Sequence, residues 1–468
     1  MSLDLNDYFK LGLDSTENAT TQPGLINTIR TPHDTSSSGL NRVTFKVPKV
    51  GMLTSDSHLN LQFTTSTSNV APNLVAGALS CVSRFRIIID NKVLTDLENP
   101  SVLEVNRLYS QNTLTQLSDL HQFYLGNNFI TDTAIGDGLE QFDPLNTKVV
   151  VGNDHTHPAL RQEFLGSATA SRTYALPLRM LGAQFLEQAS LPVFLLGNRE
   201  MIIELTFHTD CREYVLDATH GPTAIAKDAV SVNLSSVELV TTHVQLPDQV
   251  ELAQIDQSGR RPVAYPLIDH YAIKGTITMG AVGTQVPAFY RLNLQNRELH
   301  TMLMTFRDAN PSLKNAITAN QRTDALGDEE IQFKMNGINV FERPIDKSCI
   351  VYQNLNYVND NLPLKCPYNA YSCNNFTLNE INQSTQDLYK DYRGSFHYVG
   401  IDVRNGNQGV FGAGTIQQTA FEVDYKVTPR NTSTTEQPIQ KDVQRDVVFY
   451  PAVSKLLSIG QRSVDISF

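Results

Sequence analysis

Apolar and polar residues alternate along much of the chain with a period of two. The clearest example is AFEVDYKV at 420–427, and four further segments share the pattern: 43–50, 58–65, 201–208 and 270–279. A period of two places successive side chains on opposite faces of an extended chain, as in a strand with one buried face. Pro, Gly and Asn/Asp clusters, which favour turns, separate these segments. The pattern therefore predicts an all-β chain of half-buried strands.

Two segments carry the signature of a tight β-hairpin. Asp90-Asn91 lies between the apolar runs of 85–94, and Asn336-Gly337 lies at the centre of 331–341. Both central residues of a type I′ turn need a positive φ, which Asn and Gly adopt most readily. We therefore expect a two-residue turn at each site.

Helical patterns are few. Asn99-Pro100 precedes SVLEVNRLYSQN and resembles an N-cap followed by proline at the first helical position. Val102, Val105 and Tyr109 then share one face. A second helix is predicted at 376–390, and neither helix organises the fold.

The order of elements occurs twice, with an offset of roughly 220–245 residues that suits one sandwich per half. The segment 246–266 between the halves is polar, carries three prolines and suits a linker. We therefore expect an N-terminal arm at 1–38, a first sandwich at 39–250, a linker at 251–264, a second sandwich at 265–430 and a C-terminal arm at 431–468. Apolar residues of the last segment, such as Phe449 and Leu457, are expected to pack on a neighbouring subunit. A chain that ends at Arg430 is expected to keep both sandwiches.

Composition narrows the function classes. The 468 residues include 37 Lys and Arg against 48 Asp and Glu, a net charge of −11, and no Trp. This acidic balance argues against a surface that coats nucleic acid, and the lack of Trp argues against a Trp-based sugar platform. The N-terminus has no apolar stretch typical of a secretory signal, and the run at 191–197 is too short to span a membrane. The five cysteines are few and widely spaced, which predicts buried free thiols.

The candidate chemical motifs are weak. The glycines of 400–414 are not followed by the Gly-Lys-Ser/Thr of a phosphate loop. His155 and His157 have a spacing that suits zinc or copper, but Gly152 and Pro158 bracket them and predict an exposed loop. Two further candidates are the histidines around Cys211, at 208 and 220, and the carboxylate pairs Glu329–Glu330 and Glu98–Glu104, which we expect to be surface acids. The sequence thus predicts no catalytic, cofactor-binding or metal residue, and no enzyme.

Two stretches resemble a known family. YALPLRMLGAQFLEQASLPVFLLGNREMIIELTF at 174–207 and GIDVRNGNQGVFGAGTIQQTAFEVDYKV at 400–427 look like the closing strands of the two sandwiches in the double jelly-roll major capsid proteins of icosahedral double-stranded DNA viruses. The resemblance extends over roughly residues 40–430 and includes the order of strands and loops. The length is similar to that of the smaller members, such as those of virophages, polinton-like viruses and small algal or protist viruses.

The resemblance implies a structural virion protein. It implies two consecutive eight-stranded jelly rolls, a homotrimer that forms a pseudo-hexagonal capsomer, and neither catalysis nor cofactor. The implied partners are further copies of the chain, minor capsid proteins and penton proteins, in a shell assembled inside the host cell. No membrane span and no direct sequence-specific contact with nucleic acid are expected.

Two alternatives remain open at this stage. One is a carbohydrate-binding β-sandwich protein. The other is a two-jelly-roll hydrolase similar to the peptide N-glycosidases, which needs a convergent carboxylate cluster where the two sandwiches meet.

Overall fold

A computed structural model describes the following residues: 25–37, 41–65, 70–72, 77–111, 127–130, 159–162, 171–188, 190–217, 227–281, 283–294, 299–308, 328–346, 358, 398–403, 420–429, 444–460 and 463–467.

The first half of the described chain is built from sixteen strands. They are β1 (Leu25–Pro32), β2 (Thr35–Ser37), β3 (Arg42–Lys46), β4 (Met52–Leu53), β5 (His58–Thr65), β6 (Val70–Pro72), β7 (Val82–Ile89), β8 (Lys92–Glu98), β9 (Asn127–Ile130), β10 (Ala159–Gln162), β11 (Ser171–Pro177), β12 (Leu191–Pro192), β13 (Met201–Phe207), β14 (Val215–Asp217), β15 (Val230–Val232) and β16 (Glu238–Gln245). Its α-helices are α1 (Pro100–Gln111), α2 (Leu178–Leu181) and α3 (Phe185–Gln188).

The second half begins with a connecting helix, α4 (Asp248–Arg260). Its described strands are β17 (Val263–His270), β18 (Ile273–Thr278), β19 (Val286–Asn293), β20 (Leu299–Asp308), β21 (Asp328–Met335), β22 (Ile338–Asn339), β23 (Tyr398–Asp402), β24 (Ala420–Thr428), β25 (Gln444–Ile459) and β26 (Val464–Ser467).

Each half folds as two antiparallel sheets. In the first half, one sheet contains the order β1-β16-β5-β11 and the other the order β3-β13-β7-β8. In the second half, one sheet contains β17-β25-β20-β23 and the other β19-β24-β21-β22. Small additional strands, such as β4, β12 and β15, extend the sheet of the first half that contains β5 and β16.

The two halves have the same strand order. When the eight main strands of each half are numbered along the chain, one sheet reads 1-8-3-6 and the other reads 2-7-4-5 in both halves. This is the arrangement of a jelly roll. The prediction of an all-β fold with two consecutive jelly rolls is therefore confirmed, and we call the halves the first and second rolls.

The alternation of the sequence matches the burial of the strands. In β13 the residues Ile203, Leu205 and Phe207 are buried, and in β24 the residues Phe421 and Val423 are buried. The intervening charged residues lie on the opposite face, where Glu422 pairs with Arg291. The periodicity therefore identified the strands that have one buried face.

Both predicted hairpin turns are confirmed. Asp90 and Asn91 connect β7 to β8 with φ values of 50° and 62°, and Asn336 and Gly337 connect β21 to β22 with φ values of 51° and 77°. Two consecutive residues with positive φ define the type I′ geometry. The hairpins occupy the same place in the two rolls, between the fourth and fifth main strands.

The helix predicted after Asn99 is confirmed as α1, which begins at Pro100. Its Val102 and Val105 are buried. Asn99 itself has φ of 49° and the Oδ1 atom of its side chain accepts no hydrogen bond, so it does not cap the helix through that oxygen. The helix predicted at 376–390 lies outside the described residues.

The prediction of a C-terminal arm is wrong for residues 444–467. Strand β25 is the eighth main strand of the second roll and pairs with β17 and β18 on one side and with β20 on the other. Its residues 447–453 are all buried, because the second sheet of the same roll covers one face and the first roll covers the other. A strand buried on both faces reads as a continuous apolar run, which explains the absence of alternation in VVFYPAV. A chain that ends at Arg430 lacks this strand, so we now expect it to lose the second roll.

The predicted N-terminal arm and linker also differ from the structure. Residues 25–32 form β1, which pairs along its whole length with β16. The linker expected at 251–264 is mostly the helix α4, followed directly by β17 from Val263. Leu252 and Ile255 of this helix are exposed, so the helix has no buried apolar stripe that the sequence could reveal.

Candidate functional site: the contact between the two rolls

The two rolls share one apolar core. Strand β25 directs Val448 and Tyr450 towards the first roll, where they belong to the same buried cluster as Val102 and Val105 of α1. Leu303 of β20 lies in that cluster too. A separate buried cluster fills the space between the two sheets of the second roll. Since apolar burial is continuous from one roll into the next, the two rolls form one packed body.

A charged network lies within this apolar contact. Lys455 of β25 donates to Asp269 Oδ2 of β17 at 2.5 Å and to the carbonyl of Leu94 at 2.7 Å. Thr95 donates its hydroxyl to Asp269 Oδ1 at 2.9 Å. Leu94 and Thr95 belong to β8 of the first roll, so the network joins both rolls. A buried charge is tolerated only when it is paired and hydrogen-bonded, and both conditions hold here.

The β7–β8 hairpin of the first roll also contacts the last described strand, β26. Lys92 donates to the carbonyl of Val464 at 2.7 Å and to Asp465 Oδ1 at 2.5 Å. Arg199, which precedes β13, donates through Nη1 to the carbonyl of Gly460 at 2.8 Å. This hairpin therefore lies on the face formed by β17, β25 and β26.

Helix α1 forms the other part of the contact. Tyr398 of β23 donates its hydroxyl to the carbonyl of Val102 at 2.6 Å. Arg107 lies 3.1 Å from Glu104 Oε1 and 2.5 Å from Glu187 Oε2, and Gln184 also donates to Glu104. Hydrogen bonds and ion pairs therefore connect the helix to both rolls.

Burial shifts the protonation of the groups beside α1. Desolvation raises the pKa of Glu104, and the neighbouring Arg107 opposes this shift. Desolvation, together with the positive charges of Arg107 and His300, lowers the pKa of His270 to about 3. His270 is therefore a neutral imidazole near pH 7.

The carboxylates of this contact are engaged in ion pairs. Among its described residues, Asp269 pairs with Lys455, Glu104 and Glu187 pair with Arg107, and further pairs join Glu98 to Lys274 and Asp465 to Lys92. General acid–base hydrolysis needs carboxylates that face substrate in complementary protonation states. These ion pairs join strands and helices of the two rolls.

The remaining candidates from the sequence are cysteines and histidines. Cys81 and Cys211 are buried and free, as predicted, and burial raises the pKa of the Cys81 thiol. His208 is half-buried beside Phe207, while His155, His157 and His220 lie outside the described residues. In the part of the chain that the structure describes, no group of three His, Cys, Asp or Glu side chains is arranged to hold a metal ion.

The prediction that the carboxylate pairs are surface acids is wrong for two residues. Glu104 is buried at the contact, and Glu329 is buried beside Tyr425 within the second roll. Glu330 and Glu98 are half-buried and pair with Lys426 and Lys274. The sequence did not reveal the Asp269–Lys455 pair, because the two residues are 186 positions apart and carry no local motif.

None of the helices in the described ranges combines the length and the apolar character that crossing a membrane requires.

Comparison with known proteins gives matches among solved structures. No family model matches the chain, and no curated protein sequence matches it. The capsid protein Vp54 of the virus PBCV-1, fitted into a reconstruction of the virophage Sputnik, aligns with a TM-score of 0.60 and 10% identity over 95% of this chain and 97% of that one. The chain has the double jelly-roll fold of viral major capsid proteins.

Two further structures support this assignment of the fold. A structure of the Sputnik virophage aligns with a TM-score of 0.58 and 13% identity over 96% of this chain and 89% of that chain. The major capsid protein of mavirus aligns with a TM-score of 0.55 and 10% identity over 95% and 90% of the two chains. The double jelly-roll fold therefore accounts for nearly the whole chain, including the C-terminal strand β25. The resemblance found in the sequence is confirmed at the level of the fold.

Proposed function

We propose that the protein is a structural virion protein, the major capsid protein that forms homotrimeric, pseudo-hexagonal capsomers of an icosahedral shell. The observation that carries this proposal is the fusion of two jelly rolls of identical strand order through one buried core. Each chain thus offers two equivalent bodies in a fixed relative orientation. Three such chains place six similar bodies around one ring, and closed rings are the usual symmetry of homo-oligomers.

The rigid contact supports a shell-building role. A ring subunit that flexes between its two rolls would present its contact surfaces at variable angles, and assembly would then cost conformational entropy. The buried Asp269–Lys455 network and the hydrogen bond from Tyr398 to Val102 hold the rolls in one orientation. The named structural neighbours are capsid proteins, and this supports the same role here.

We propose the two rolls as the domains of the chain. The first extends from β1 to β16 and the second from β17 to β25, with α4 as the connection. The bounds expected from the sequence, 39–250 and 265–430, therefore change at both ends.

We further propose that the protein resides in the virion after assembly inside the host cell. Its partners are other copies of the chain, together with minor capsid and penton proteins. The net charge of −11 supports a shell that does not bind nucleic acid in a sequence-specific way. The proposed role involves no catalysis and no cofactor.

Negative-stain electron microscopy of the purified full-length chain tests this function. We expect particles with a pseudo-hexagonal outline in projection. Their class averages are expected to show six lobes with three-fold symmetry, since the two rolls are similar but not identical. Particles with one or two lobes at every protein concentration would contradict the proposal.

A further inference from the structure

Helix α4 directs two large apolar side chains away from the body of the protein. Ser258 is buried and Glu251 is half-buried, so a polar face of the helix lies against the first roll, close to the turn at 193–196. Leu252 and Ile255, about one turn apart, are 65% and 40% exposed. A surface helix of a globular protein has the reverse arrangement, with its apolar stripe towards the core. We call Leu252 and Ile255 the exposed stripe of α4.

The first described strand begins beside the start of this helix. Leu25, the first residue of β1, lies directly opposite Gln245, and α4 begins three residues after that, at Asp248. Leu25 and Ile26 are exposed too, so four of the eight large apolar side chains that are exposed among the described residues belong to β1 and α4. Residues 1–24 therefore join the described chain near the helix that carries the exposed stripe.

The sequence before β1 has the pattern of a short amphipathic helix. Leu5, Tyr8 and Phe9 have the spacing i, i+3, i+4, which places them on one helical face. Asp4 suits the N-cap of this helix, and Gly12 suits the position after its last turn. Isolated helices shorter than ~12–15 residues are marginal in water. A helix this short therefore needs an apolar surface on which to pack.

We propose that residues 4–13 form a helix that packs on the exposed stripe of α4 in the same chain. In this arrangement Phe9 contacts Leu252 and Ile255, and water is excluded from all three side chains. The inference goes beyond the capsid role, because it concerns the connection between the two rolls of one chain. Since α4 is that connection, the packed segment covers it on the side that faces away from the first roll.

The length of the chain permits this contact. Residues 14–24 span at most ~36–40 Å when fully extended. Helix α4 has 13 residues and is therefore ~20 Å long, and residues 4–13 in helical form span ~15 Å. The segment thus fits along α4. Because residue 13 is the end joined to β1, and β1 begins beside the start of α4, the shortest path makes the two helices antiparallel.

The charges favour the same direction. An antiparallel segment brings Asp4 and Asp7 to the C-terminal end of α4, where Arg260 and Arg261 are exposed. Arg260 also pairs with Asp256 of its own helix at 2.8 Å. Exposed ion pairs contribute little stability and are screened by salt. The apolar side chains therefore hold the segment on α4, and the charges set its direction.

A single tryptophan can report on this contact, because the chain contains no Trp. In Phe9→Trp we expect blue-shifted emission and an acrylamide quenching constant about threefold below that of the urea-unfolded chain, since a packed indole is shielded from the quencher. Adding Leu252→Glu and Ile255→Glu is expected to return both quantities to the values of an exposed indole.

The matched control is Ile338→Glu in the Phe9→Trp chain. Ile338 is 57% exposed, close to the value for Leu252, but it lies on β22 of the second roll. We expect the emission and quenching of Phe9→Trp to stay unchanged in this variant. Circular dichroism melting identifies any variant that fails to fold.

Cysteine cross-linking tests whether the segment and α4 belong to the same chain. The background replaces the three cysteines within 349–373 by Ser and keeps the buried Cys81 and Cys211. Phe9→Cys with Leu252→Cys is expected to form a disulfide on oxidation while the protein keeps the mass of one chain on a denaturing gel. Phe9→Cys with a cysteine at position 338 is expected to form none.

Three results would overturn the proposal. The first is an indole at position 9 that is quenched as readily in the folded protein as in urea. The second is a shielded indole whose emission does not respond to Leu252→Glu with Ile255→Glu, since the segment would then pack elsewhere. The third is a disulfide between positions 9 and 252 that joins two chains, since a second copy would then supply the segment.

Discussion

Lys455 and Asp269 form an ion pair that is almost fully enclosed where the two rolls meet. Lys455 Nζ lies 2.5 Å from Asp269 Oδ2, and the two side chains are only 7% and 2% exposed. Both residues belong to the second roll, and their remaining hydrogen bonds reach Leu94 and Thr95 of the first. Through these bonds, the ion pair of the second roll holds strand β8 of the first roll in place.

Removing one partner of this pair is expected to be costly. Lys455→Met leaves the carboxylate of Asp269 buried without its cation, so we expect a loss of about 3–5 kcal/mol in the free energy of unfolding. The double variant Lys455→Met with Asp269→Leu is expected to lose less than the single variant, because no buried charge remains. Urea denaturation followed by circular dichroism measures both.

An exposed ion pair provides the control for this experiment. Lys426 and Glu330 are 47% and 46% exposed, and Lys426→Met is expected to cost no more than about 1 kcal/mol. Equal losses for Lys455→Met and Lys426→Met would show that the buried network does not hold the rolls together.

Removal of the C-terminal segment is expected to prevent folding of the second roll. A chain that ends at residue 443 lacks β25, which separates β17 and β18 from β20 and covers part of the first roll. We expect this chain to be insoluble or to lack cooperative thermal unfolding. A soluble truncated chain that melts cooperatively at the wild-type temperature would contradict the role of β25 as the eighth strand.

The turn at Asn336-Gly337 tests the hairpin geometry. Gly337 has φ of 77° and no atom lies within 4 Å of the position of an added Cβ, so any cost of substitution comes from backbone strain. Gly337→Val is expected to cost roughly 1–2 kcal/mol, whereas Gly337→Asn is expected to cost less because Asn tolerates this region. Denaturation midpoints of the two variants decide the point, and equal midpoints for Val and Asn would argue against the strained turn.

His270 is expected to make stability depend on pH. Its pKa falls to about 3 in the folded protein, below the ordinary value of 6.5, so the unfolded chain binds a proton that the folded one does not. The wild type should therefore lose stability as the pH falls from 6.5 towards 3. In His270→Gln this contribution is absent, and we expect the melting temperature of the variant to improve relative to wild type between pH 7 and pH 4.5.

The comparison isolates His270 from its neighbours. Glu104, whose pKa is raised, acts in the opposite direction but is present in both proteins, and Arg107 and His300 also remain. A difference in melting temperature that stays constant across this pH range would show that His270 is not the responsible group.

The sequence predicted the elements that have one buried face and a local turn signal. Strands β13 and β24 alternate clearly, and the turns at Asp90-Asn91 and Asn336-Gly337 depend on residues that are adjacent in the chain. Both kinds of element are fixed by short-range chemistry, which a single sequence contains.

The sequence did not predict the elements whose environment comes from distant parts of the chain. Strand β25 lacks alternation because the two rolls bury both of its faces, and its apolar residues resembled an arm that packs on a neighbour. The helix α4 lacks a buried stripe because Leu252 and Ile255 are exposed. The network of Asp269, Lys455 and Thr95 joins three distant segments, so no spacing in the sequence could indicate it.

The mass of the full-length protein in solution tests the central claim most directly. Size-exclusion chromatography with light scattering is expected to give three times the 52.1 kDa of the chain, because two rolls per subunit complete a ring of six in a trimer. A mass equal to that of one chain at every concentration would contradict the account of this protein as a subunit of capsomers.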